Sequence, residues 1–121
     1  MKTQACNERR EAVEILKRVL YEDAYASALL LARFRANPQW GERERGLITN
    51  LVYTVLTHSL RLEAFINKYA TIPVRRMKPQ VAVVLMVSAA QLLWMDRIPP
   101  HAVVDEAVKL ILASPQRNLS G

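Results

Sequence analysis

The stretch Arg75-Arg76-Met77-Lys78 puts three cations into four residues, with no carboxylate nearer in sequence than Glu63 or Asp96. Guanidinium forks and ammonium groups at that density suit phosphate oxygens. A solvated basic linker gives the same pattern. Arg9-Arg10, with Lys17 and Arg18 on later turns, makes a second basic edge. It reads equally as a phosphate-binding edge or as a solvated helix face largely neutralised by Glu8, Glu11 and Glu14. Arg43 and Arg45 stand where a helix begins, and cations there oppose the helix dipole at a cost of roughly a few tenths of a kcal/mol. An external anion relieves that cost, and so do the neighbouring Glu42 and Glu44. Arg9, Arg10, Arg43, Arg45, Arg75, Arg76 and Lys78 are therefore the candidate phosphate contacts.

Other chemistries find little support. His101 precedes Asp105 by four residues, the spacing of an acid–base pair on one helix face, but no Ser or Cys nucleophile joins them in sequence. Cys6 is the only cysteine, so no intrachain disulfide and no thiolate cluster can form. His58 and His101 lie far apart, and neither belongs to an HExxH or CxxC pattern, so we expect no metal site. The three glycines, Gly41, Gly46 and Gly121, are too few for a loop that wraps a nucleotide phosphate. We expect no catalytic and no cofactor-binding residues in this chain.

The bulk properties agree with this view. A chain of 121 residues is one domain by length, or one domain of a longer chain. Hydrophobic residues make up 51%, enough for a real core, while aromatics at 7% argue against a β-sandwich. The net charge of +6 favours a polyanionic partner, nucleic acid before an anionic membrane. Arg outnumbers Lys twelve to five, which favours RNA, because guanidinium both pairs with phosphate and stacks on bases. The longest uncharged run, 79–95, falls short of the ~20 apolar residues that span a bilayer, and the charged N-terminus lacks a signal core. The expectation is a cytoplasmic protein without membrane contact.

Periodicity is helical nearly throughout. A first helix spans 7–22, with Asn7 as N-cap, Val13, Leu16 and Leu20 on its apolar stripe, and Glu14 facing Arg18 four residues on. A second runs over 25–36 and stops before Pro38. After the loop Asn37-Pro38-Gln39-Trp40-Gly41, a long pattern starts at 42 and continues through Leu62, Phe65, Ile66 and Tyr69. It is too long for one globular helix, so a break is expected at 58–60. Pro79 suits the first turn of a helix whose residues 81–95 are apolar nearly all round, the mark of a central helix. Pro100 opens a last helix, and Ser114-Pro115 ends it.

The segment KPQVAVVLMVSAAQLLWMDRIPPHAVVDEAVKLILA (78–113) resembles the NusB-like RNA-binding domain. It is most similar to the versions found at the N-terminus of bacterial ribosomal RNA cytosine-5 methyltransferases, the Sun/Fmu (RsmB) group. The most specific piece is QLLWMDRIPPHAVVDEAV, which looks like that group's YQLLFLDRIPPHAAVNEAV. GERERGLITNLVYTVL, LRLEAFINKY and NERREAVEILKRVLYEDAYASALL resemble its other segments in order and spacing. The resemblance implies an all-α NusB-like bundle of two packed three-helix units. The domain would occupy 1–113, followed by an irregular tail over 114–121.

The same resemblance implies a non-catalytic role: engaging ribosomal RNA and orienting a methyltransferase domain that this chain does not contain. S-adenosylmethionine would belong to that absent domain, and no cofactor to this one. Two other functions share the pattern. One is a NusB-type transcription antitermination factor that binds boxA-like RNA together with a ribosomal protein. The other is a helical protein-interaction module without RNA contact. The chain departs from the family at 81–91, where arginine and glycine are usual, and at Asp105, where asparagine is typical. The family's final helix has no counterpart here. That implies bare apolar surface on the 81–95 helix or at Ile111 and Leu112, and hence a weak homodimer.

Overall fold

The computed structural model describes residues 7–96 and residue 101. Within them the protein is all-α: five α-helices, a 3-10 turn and a π-helical turn, with no strand among the described residues. The chain divides into two compact units, Met1–Tyr53 and Thr54–Gly121.

In the first unit, α1 (Glu8–Glu22) begins at the expected cap: the Asn7 Oδ1 accepts from the Arg10 backbone N–H at 3.0 Å. Such a cap is worth ~1 kcal/mol. Ala12, Val13, Ile15 and Leu16 bury its apolar face, whereas Leu20, expected on the same stripe, lies at the surface. The helix closes on Asp23, whose φ of 58° is left-handed. Its surface charges pair differently from the expected Glu14–Arg18 contact: Glu14 meets Lys17 at 3.5 Å, and Arg18 meets Glu22 at 3.5 Å. The second pair lies in the final turn, where Glu22 is as near to Arg18 in helical spacing as Glu14 is.

Helix α2 (Ala26–Ala36) packs on α1. Trp40, in the loop that follows, is buried and meets the Phe34 ring edge-on at a centroid distance of 6.5 Å. Helix α3 (Glu42–Thr57) then starts with one half of a capping box, since the Glu44 Oε1 accepts from the Gly41 backbone N–H at 2.9 Å. The acids beside Arg43 and Arg45 thus include one that works on the helix terminus itself. Ile48, Leu51, Val52 and Val55 are buried at helical spacing.

In the second unit the expected break occurs at His58, and α4 (Ser59–Tyr69) follows. The basic connector is not an open linker: Val74–Arg76 forms a 3-10 turn that packs against α4. Helix α5 (Pro79–Ala90) has its proline in the first turn, as expected, and is the most buried element. It runs on into a π turn, Gln91–Met95, closed by the Asp96 N–H on the Gln91 carbonyl at 2.7 Å. There the Trp94 ring stacks on the His58 imidazole, with centroids 4.0 Å apart and planes 6° from parallel.

No residue between 80 and 95 is exposed, so this helix does not carry the bare apolar face expected of it. Eight residues of α5 are buried and the rest of 80–95 are half-buried, which weakens that part of the argument for a homodimer. The Ile111 and Leu112 edge, the expected last helix with Asp105, and the tail lie outside the described residues.

Candidate nucleic-acid interface

The seven candidate cations fall on three local structures. Arg9 and Arg10 occupy the first turn of α1, and both side chains are exposed. The Asn7 side chain caps that turn through the Arg10 N–H, three residues on. Two acids of the same turn, Glu8 and Glu11, favour the positive end of the helix dipole. Glu11 has a tertiary partner: the Arg33 guanidinium of α2 donates to both its oxygens, at 2.9 and 3.1 Å.

Arg43 and Arg45, two residues apart on α3, have different surroundings. Arg43 is exposed and makes no ion pair among the described residues. Arg45 is half-buried, and its Nη1 donates to the Trp40 carbonyl at 2.6 Å. This bond ties the loop to the first turn of α3, so Arg45 carries a structural task that its sequence position did not reveal.

Arg75 and Arg76 are exposed on the 3-10 turn, and Lys78 is exposed as the N-cap of α5. None of the three has an ion-pair partner among the described residues. Two contacts hold the turn: Val74 is buried, and its N–H donates to the Asn67 Oδ1 of α4 at 2.7 Å. The Met77 N–H on the Val74 carbonyl closes it at 3.0 Å. Ordering a cationic segment in advance lowers the entropy lost when it meets an anion.

The NusB family profile matches residues 6–120. The chain belongs to the NusB family. Over 99 residues it is 30% identical to the "Probable ribosomal RNA small subunit methyltransferase B" of Bacillus subtilis, covering 82% of this chain and 22% of that protein. Over 80 residues it is 34% identical to the "Ribosomal RNA small subunit methyltransferase B" of Klebsiella pneumoniae, covering 66% of this chain and 18% of that one. This NusB-family domain thus spans about a fifth of the length of the curated relatives it matches, and the likeness is to their N-terminal region. No solved structure matches it significantly.

No helix among the described residues is long and apolar enough to cross a membrane, and no metal-binding cluster occurs among them. Of the described glycines, Gly41 stands at the start of α3 and Gly46 lies inside it, and neither has positive φ.

One surface residue escaped the sequence reading. Tyr69 fits the apolar spacing of α4, yet its side chain lies largely in solvent. The signal that could have exposed it is its place at the helix end, in a stretch without carboxylates from 64 to 95.

Proposed function

We propose that this NusB-family domain is a non-catalytic RNA-docking module of a small-subunit ribosomal RNA (cytosine-5) methyltransferase. In this role it helps seat the enzyme on ribosomal RNA. S-adenosylmethionine and the catalytic residues belong to a separate methyltransferase domain. The observation that supports this most is the set Arg75, Arg76 and Lys78, exposed and without an ion-pair partner among the described residues, on or beside a pre-ordered turn in a domain related to those methyltransferases. Arg10 and Arg43 add exposed cations on the other unit. Contacts of this kind go to phosphates, so they position the protein on RNA without reading sequence.

The test is a titration of the chain with a ribosomal RNA fragment at several salt concentrations. Four phosphate contacts to single-stranded RNA give a log–log slope of about −3, because each contributes roughly −0.7. A threefold rise in salt then weakens binding about twentyfold. Reversing the charges of Arg9 and Arg10, or of Arg75 and Arg76, flattens the slope while circular dichroism stays helical. An unchanged slope in both double variants would exclude these patches, and no binding at low salt would exclude the function.

A further inference from the structure

We propose that the end of α4 is a stacking site for one unpaired base of single-stranded RNA, with Tyr69 as the platform and Lys68, Arg75 and Arg76 as its phosphate contacts. This rests on the RNA-docking function above and adds what that function leaves open, the kind of RNA engaged.

The Tyr69 side chain is in the last turn of α4 and is 51% exposed. It is not loose, because the Phe65 ring lies against it at a centroid distance of 5.2 Å and a tilt of 60°. The Lys68 Nζ sits 5.5 Å from the Tyr69 ring centroid. The Asn67–Val74 hydrogen bond holds the 3-10 turn against this same helix, so exposed Arg75 and Arg76 follow directly on a residue tied two positions before Tyr69. Ile72, three residues on in sequence, is also exposed.

Charge selects the occupant. No carboxylate occurs in sequence between Glu63 and Asp96, so the segment that carries the ring supplies cations and no acid. One cation near the helix C-terminus satisfies its dipole, and Lys68 in the last turn already does so. Arg75 and Arg76 exceed that need. A ring flanked by cations matches a nucleotide, whose base stacks while its phosphates pair. A duplex cannot use the ring, because its bases are already stacked on each other and only its backbone is presented. The geometry therefore points to unpaired RNA.

The test uses the full chain and one RNA sequence in two forms: a single strand carrying 2-aminopurine, and the same strand in a duplex. The expected result is tighter binding of the single strand, with quenching of the 2-aminopurine emission as the base stacks. Tyr69→Ala should weaken single-strand binding about 5- to 150-fold, leaving duplex affinity and the salt slope unchanged. Tyr69→Phe should bind as the parent does. Melting curves identify a variant that fails to fold, and quenching with the parent chain still decides the matter in that case. If the parent binds both forms equally without quenching, the stacking site is wrong and RNA docking stands. Binding to anionic vesicles but to neither RNA overturns both.

Discussion

The Arg33 guanidinium grips both carboxylate oxygens of Glu11 across the α1–α2 contact, Nε to Oε1 at 2.9 Å and Nη2 to Oε2 at 3.1 Å. The same guanidinium carbon lies 5.7 Å from the centroid of the Trp40 ring. One side chain thus joins two helices and the loop after them. A parallel fork of this kind exceeds a single surface ion pair, which is worth about 0–1 kcal/mol, and the ring contact adds about 0.5–1 kcal/mol. Arg33→Ala should lower stability by about 1–2 kcal/mol in urea unfolding. Arg33→Lys should recover less than half, because an ammonium cannot form the fork. Equal stability of Arg33→Lys and the parent would show that the fork contributes nothing.

That pair also marks the limit of what the sequence reveals. Asn7, His58 and Pro79 were legible because a cap, a helix break and a first-turn proline are local events. Glu11 and Arg33 are 22 positions apart, and no local rule pairs them. The exposed cations were legible as a set, but their inequality was not, since Arg45 differs from Arg43 only through the distant-looking carbonyl of Trp40. Tyr69 continues the apolar spacing of α4, yet the helix ends there, and spacing alone does not tell whether a neighbour covers the final turn. The 3-10 turn depends on Asn67 reaching Val74, a side-chain bond without a periodic signature.

Ser88 offers a second prediction. It is buried on α5, and its Oγ has no hydrogen-bond partner among the described residues. A buried, unsatisfied hydroxyl costs about 1–3 kcal/mol, and alanine is also the better helix former. Ser88→Ala should therefore raise stability by about 1 kcal/mol, read as a higher urea midpoint at unchanged m. A lower midpoint would mean that the hydroxyl has a partner.

Asn67 offers a third. Its Oδ1 satisfies the N–H of buried Val74, so Asn67→Ala removes the acceptor that holds the 3-10 turn to α4. The expected loss is about 1 kcal/mol, with Asn67→Asp close to the parent because it keeps an acceptor oxygen. Amide exchange at Val74 should speed up in Asn67→Ala and not in Asn67→Asp. Unchanged exchange in both would show that helix packing alone fixes the turn.

Arg43 and Arg45 separate the electrostatic and structural uses of one residue type. The exposed side chain of Arg43 has no ion-pair partner among the described residues, so its removal should leave stability within about 0.5 kcal/mol of the parent. If it contacts a phosphate, Arg43→Ala makes the salt slope of RNA binding shallower by about 0.7. Arg45 is half-buried and donates to the Trp40 carbonyl at 2.6 Å. Hydrogen bonds from charged donors are worth about 1.5–3 kcal/mol, so Arg45→Ala should cost at least about 1 kcal/mol in urea unfolding. Its effect on the salt slope should be smaller than that of Arg43→Ala, since part of the guanidinium is already committed. Measuring both quantities for both variants gives a crossed pattern, with slope lost at Arg43 and stability lost at Arg45. The reverse pattern would assign the RNA contact to Arg45 and leave Arg43 as an ordinary solvated side chain.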